Sequence, residues 1–172
     1  MMKLDESNAQ DFFDRIVSDP ANSLKFQVVN EQGSQCYVEK ELWDYANRLV
    51  ILHVKVPVVS AAEDTVLKLY YDETMADNDG YVGETGSAAA QNVWDDDFVL
   101  VMHMAQDATG GNAQAKDSTS NASHFDSKNH DGSTLVDGAI GKALNFNGED
   151  EYLEHAWDGL LDVDLYTTVH FE

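Results

Sequence analysis

Positive charge is scarce in this chain: 10 Lys and Arg stand against 32 Asp and Glu, a formal net charge of −22 over 172 residues. Such a surface releases no counterions from a phosphate backbone and is repelled by anionic lipid, which disfavours nucleic-acid and membrane-surface roles. The one cysteine, Cys36, excludes an intramolecular disulfide. No run approaches the length of about 18 apolar residues that spans a bilayer, so no membrane insertion is expected. The opening residues, MMKLDESNAQDFFD, turn acidic where a signal peptide needs an apolar core, so no export signal is expected on this chain. Apolar content is not lacking: 43% of residues are hydrophobic, enough for a core and unlike the composition of a disordered chain. The excess charge is screened over about 8 Å at physiological salt, so saline or divalent-cation surroundings suit this chain.

Hydrophobic periodicity divides the chain into elements. Phe12, Phe13, Ile16 and Val17 fall at i, i+1, i+4 and i+5, which predicts one short N-terminal helix behind Ser7 or Asn8 as cap, ending by Asp19-Pro20. The period then becomes two. Residues 24–29, 35–43, 49–56 and 65–72 are rich in β-branched and aromatic side chains and read as four strands of an antiparallel meander. Within the third, Val50, Leu52, Val54 and Val56 share one face. Residues 30–33 and 44–47 carry turn chemistry. Residues 73–92, with three Gly and three consecutive Ala, read as a long loop or linker. A strand is expected over 97–104, then a 30-residue polar stretch over 105–134 with only Phe125 to anchor it, a functional or mobile loop. Further strands are expected over 142–147, 151–155 and 165–171, the first two joined by a turn at 148–150.

Several strings resemble a known pairing of domains. YVEKELWD, HVKVP and LKLYYD, within residues 35–71, are similar to an uncharacterised domain of bacterial, archaeal and phage surface proteins that precedes a concanavalin A-like, laminin G-like lectin/glucanase domain. VWDDDFVLVMHM at 93–104, DSTSNAS at 117–123 and VDGAIGKALNFNGEDEYLEH at 136–155 resemble the opening of that second domain. The resemblance spans about residues 24–171. It implies an all-β fold of two β-sandwich-like modules, 1–92 and 93–172, with one short N-terminal helix. The second module is expected to be incomplete, since a laminin G-like sandwich needs well over a hundred residues. An unfinished sheet would leave an open edge that invites strand addition.

The chemistry-bearing residues are sparse. Glucanases on the concanavalin A-like fold carry paired carboxylates on one strand, and retaining hydrolysis needs two about 5–5.5 Å apart. Glu149 and Glu151 are the pair to test against a plain solvated turn before a strand, and the plain turn is the expected reading. Cys36, within a strand and away from basic residues, reads as a buried thiol. His53 and His103, inside apolar strands, read as packed or outward-facing rather than as ligands, and no zinc site is expected. Calcium is the one candidate cofactor, because Asp117, Asn121, Asp126, Asn129 and Asp131 crowd one loop with the oxygen donors a hard cation takes. The same composition is that of ordinary turns. For glycan stacking, Trp157 and Tyr81 are the expected platforms, with Tyr70 and Tyr71 suited by residue type alone. Trp43 and Trp94 lie in the resembling motifs and read as core or interdomain anchors. Asp95 to Asp97 read as a solvated run.

These readings lead to a non-enzymatic surface or virion structural module, an adhesin or phage appendage, that binds a protein partner or a glycan and self-associates or joins a larger assembly. Two alternatives stand beside it: a self-assembling subunit whose sheet is completed by a neighbouring chain, and a fragment of a polysaccharide hydrolase using Glu149 and Glu151.

Overall fold

The computed structural model describes residues 1–156 and Gly159. Its strands are β1 (Met2–Asp5), β2 (Phe26–Val29), β3 (Val38–Asp44), β4 (Leu49–Val54), β5 (Lys68–Tyr71), β6 (Val82–Glu84), β7 (Asp126–Lys128), β8 (Leu135–Asp137), β9 (Lys142–Leu144) and β10 (Tyr152–Glu154). The helices are short: α1 (Glu6–Phe12), a π-helical turn (Phe13–Val17) and α2 (Ala88–Gln91), with single 3₁₀ turns at Pro20–Asn22 and Ala108–Gly110. The chain is therefore β-rich and built of several small sheets. No helix among the described residues is long and apolar enough to cross a membrane.

The N-terminal helix forms where the apolar spacing places it, and Phe12, Phe13, Ile16 and Val17 are all buried. Its start is different from the sequence reading. Asp5 is the N-cap, accepting from Ser7 N, while the Asn8 side chain accepts from Asp5 N to close a capping box. The residues before it, whose alternation of Met2 and Leu4 with Lys3 and Asp5 is only four residues long, form β1 against β4. At the far end Asp19 caps the Pro20–Asn22 turn.

The four strands expected over 24–72 all form, but they do not make one meander. β3 and β4 are an antiparallel hairpin, extended by β1 on the outer side of β4 and by β6, parallel, on β3, giving the order β1-β4-β3-β6. β2 pairs with β5 in a separate two-stranded sheet. The 30–33 turn forms as read, with Gly33 at φ +81 and Ser34 N donating to Asn30 Oδ1. The stretch 73–92, expected as a linker, holds β6 and α2. Val82 lies in the core, Ala89 and Ala90 are buried, and Ser87 caps α2 on Ala90 N. A three-residue strand with one large apolar side chain has too little periodicity to stand out in sequence.

The core lies between the first sheet, the β2/β5 pair and the N-terminal helical segment. Phe12 meets Phe26, Trp43 and Tyr71 edge to face at centroid distances of 5.7, 5.8 and 5.0 Å, and Phe26 stacks on Trp43 at 5.7 Å. Each buried Phe contributes about 1.5–3 kcal/mol from area removed from water. A β-bulge between Lys40 and Leu42 shifts the phase of β3 by one residue. Lys40 and Trp43, three apart and opposed in a regular strand, thereby share the core face, with Lys40 Nζ 4.9 Å from the Trp43 ring. Lys40 is buried yet partnered, donating to Ser23 O at 3.1 Å and pairing with Glu84 at 2.6 Å.

The second half also departs from its sequence reading. Residues 97–104 form no strand, and Phe98 and Val99 are exposed. Their backbone is tied instead by Asp117, whose Oδ1 accepts from Val101 N, while Ser118 N donates to Val101 O. The polar stretch 105–134 is organised by its buried Asp117, Ser118, Thr119, Ser123, Ser127 and Thr134, and holds β7. Polar side chains satisfying backbone groups replace a ladder here, which a hydrophobic pattern does not register. β9 pairs with β8 and β10 with β7, so the two strands flanking the 148–150 turn do not pair with each other. The turn itself forms: Asn147 Oδ1 accepts from the N–H groups of Glu149, Asp150 and Glu151. The strand expected over 165–171 lies outside the described residues.

Candidate functional site

The outer face of the β3/β4 hairpin carries a group of buried and half-buried ionisable side chains, Glu39, Glu41 and His53. Glu39 and His53 are cross-strand partners, and Glu41, two residues further along β3, lies on the same face. Residues 93–118 cover that face. Trp94 Nε1 donates to Glu39 Oε2 at 2.7 Å and Ser118 Oγ donates to Glu39 Oε1 at 2.6 Å. His103 stacks on His53, with centroids 4.3 Å apart and planes 19° from parallel, and Trp94 flanks both rings at 5.4 and 5.8 Å. The 138–141 turn closes the far side. Gly141, at φ +69, approaches so closely that a Cβ there would lie 2.8 Å from Ile51 Cδ1 and 3.2 Å from Glu41 Oε1.

Three ligand-type atoms converge in this layer. His53 Nε2 lies 2.7 Å and His103 Nδ1 3.7 Å from Glu41 Oε2. One ligand atom from each of Glu41, His53 and His103 lies within 4.8 Å of the others, the one such trio of His, Cys, Asp or Glu among the described residues. The other nitrogen of His103, Nε2, sits 3.3 Å from Glu39 Oε1 without hydrogen-bond geometry. Glu39 has no exposed surface. Burial is the largest influence on its carboxyl and acts upward, but contacts from His103 and Ser118 more than offset it and hold the pKa below the ordinary glutamate value. A cleft of about 330 Å³ lined by Met1, His53, Val54, Trp94 and Phe98 opens beside the trio.

The residues singled out from sequence are placed differently. Asp117 is buried, but its carboxylate is filled: it accepts from Val101 N, Thr119 N, Thr119 Oγ1 and Ser123 N at 2.8–3.1 Å. Asn121 donates to Val99 O, Asp126 accepts from Ala113 N, and Asp131 accepts from Ser133 N and Oγ. Asn129 donates to Asp150 O. Asp117, Asp126 and Asp131 thus each serve separate backbone donors and form no ligand trio. Tyr81 is 38% exposed and stacks on Tyr37 at 4.8 Å. Trp157 lies outside the described residues. Of the proposed hydrolytic pair, Glu149 is exposed, whereas Glu151 is bound by Thr134 Oγ1 at 2.9 Å and Asn147 N at 2.7 Å. Trp43 is packed in the core and Trp94 joins the sheet to the following segment. Cys36 is buried, and burial pushes its thiol pKa up. Asp95 to Asp97 are exposed.

The His/Glu layer was not legible in advance. Its members sit at 39, 41, 53 and 103, a spacing that matches no local metal motif. The one available signal was polar: Glu39 and Glu41 at alternating positions of β3 and a His within the otherwise apolar β4, where burial demands partners. No family model, curated protein or solved structure matches the chain.

Proposed function

We propose that this chain is a non-enzymatic structural and binding module of a cell surface or virion, presenting an acidic β-scaffold to a protein partner or a glycan. The observation that carries the reading is the disposition of charge. Of the 10 basic residues, Arg15, Lys40, Arg48, Lys128 and Lys142 are in ion pairs within the chain. Lys25 and Lys55 donate to backbone carbonyls. Among the described residues most carboxylates are exposed and only Glu39 and Asp117 are buried, which suits a cationic partner surface or an assembly screened by salt. Glu39, Glu41, His53 and His103 are turned inward, where they join two parts of the chain.

The turn chemistry points the same way. Glu151 accepts from Thr134 Oγ1 and the backbone of Asn147, so it is not a free carboxylate partner for Glu149 in the preceding turn. The motif resemblance set out above adds the surface or phage context, and the concanavalin A-like reading of the second half belongs to this proposal. The test is twofold: light scattering of the purified protein at high concentration in saline buffer, and a broad glycan array. Discrete assembly or a reproducible glycan hit supports the reading, and a monomer that binds nothing overturns it.

A further inference from the structure

We propose that Glu41 Oε2, His53 Nε2 and His103 Nδ1 bind one divalent transition-metal ion of the zinc class. Two nitrogen donors in three select zinc-class ions over calcium or magnesium, which take oxygen. Zinc binds imidazole nitrogen and carboxylate oxygen at about 2.0–2.2 Å, so tetrahedral ligand atoms stand about 3.4 Å apart. The observed 2.7 and 3.7 Å separations from Glu41 bracket that value. Small rotations of side chains satisfy it without moving the strands.

A second, independent feature points to the same ligand. The His103 side chain is 91% buried by its 9% exposure, and its Nε2 has no hydrogen bond. Nε2 faces the Glu39 carboxylate, itself fixed by Trp94 and Ser118. A small turn of the ring would bring an Nε2 proton onto Glu39 and leave the Nδ1 lone pair facing Glu41 and His53. This is the carboxylate–histidine–metal arrangement that sets a ligating tautomer. The neighbouring cleft lined by His53 and Trp94 provides the path from solvent.

The ion's place in the fold defines its role. Glu41 and His53 belong to adjacent strands, whereas His103 comes from the segment that covers them, so the metal clamps the sheet to that cover. Binding to the folded chain alone stabilises it by mass action. At a hundredfold excess over Kd the expected rise in Tm is roughly 5–10 °C for a chain of this size.

The experiment uses the full chain, stripped with chelator and titrated with Zn²⁺, and with Co²⁺ as a spectroscopic substitute. Expected are one ion per chain by calorimetry, tetrahedral d–d bands with Co²⁺, and the rise in Tm. Imidazole NMR of the unmodified protein should show His53 and His103 perturbed and the other four histidines unmoved. Glu39→Gln should keep the one-to-one stoichiometry and weaken Zn²⁺ binding about 10–100-fold. Absence of Zn²⁺ and Co²⁺ binding to the folded chain overturns the proposal. So does binding that perturbs His124, His130 or His155 instead, or that persists undiminished in folded His53→Gln and His103→Gln variants.

Discussion

Trp94 donates its indole N–H to Glu39 Oε2 at 2.7 Å across 55 positions of sequence, joining the outer face of the hairpin to the segment that covers it. The carboxylate is wholly buried and the bond is charge-assisted, so it is worth more than an ordinary pair.

Trp94→Phe removes this donor while keeping most of the ring's packing on Phe98 and the two histidines. The expected loss is about 1–3 kcal/mol, from a buried carboxylate left with fewer donors. For a chain of this length that lowers Tm by roughly 2–4 °C per kcal/mol. Urea denaturation with an unchanged midpoint would refute the assignment of Glu39 and Trp94 as an interlocking pair.

Asp117→Ala should cost more, about 3 kcal/mol or above, because four donors converge on one carboxylate and three are backbone N–H groups. Asp117→Asn keeps the shape, replaces one acceptor by a donor, and should fall between the two. Since this carboxylate is already filled, excess Ca²⁺ should raise Tm no more than equal Mg²⁺, both acting by screening. A calcium-specific rise lost in Asp117→Asn would restore a calcium site to this loop.

Acid should destabilise the chain in two stages. Burial, aided by Lys116, holds the His124 pKa below that of a free histidine, and its Nδ1 accepts from Asp117 N in the neutral form. Such a group contributes fully above about pH 6.5 and loses its contribution as the pH falls toward its lower folded-state value. Glu39 is also held low in the folded state, so its contribution is complete above about pH 4.3 and is lost below it. The turn carboxylates Asp5, Asp72 and Asp131, lowered by hydrogen bonds within their own turns, add to the second stage. Urea midpoints followed downward from neutral pH should show both stages, and His124→Gln should remove the first.

Much of the first half was legible because its signals are local. The four apolar side chains of the N-terminal segment, the alternation in β2 to β5 and the Asn30–Gly33 turn follow from side-chain direction and backbone preference over a few residues. The second half was legible at its turns and in β9 and β10, which form within the expected 142–147 and 151–155, but not in how those strands pair. Its apolar run at 97–104 reads as a strand by periodicity, yet Asp117 and Ser118 take its backbone groups from a position well beyond the window in which periodicity operates.

The sequence by itself determined which residues are apolar enough to be buried, where the chain turns, and that the surface is acidic, since each depends on composition or near neighbours. Tertiary structure alone decided the strand partners and brought Glu39, Glu41, His53, Trp94 and His103 into one layer. The physical reason is the register that sets β3 against β4 and the return of the chain over the hairpin. Together they convert scattered polar residues into mutual partners, because a charge removed from water must find a partner wherever the fold supplies one.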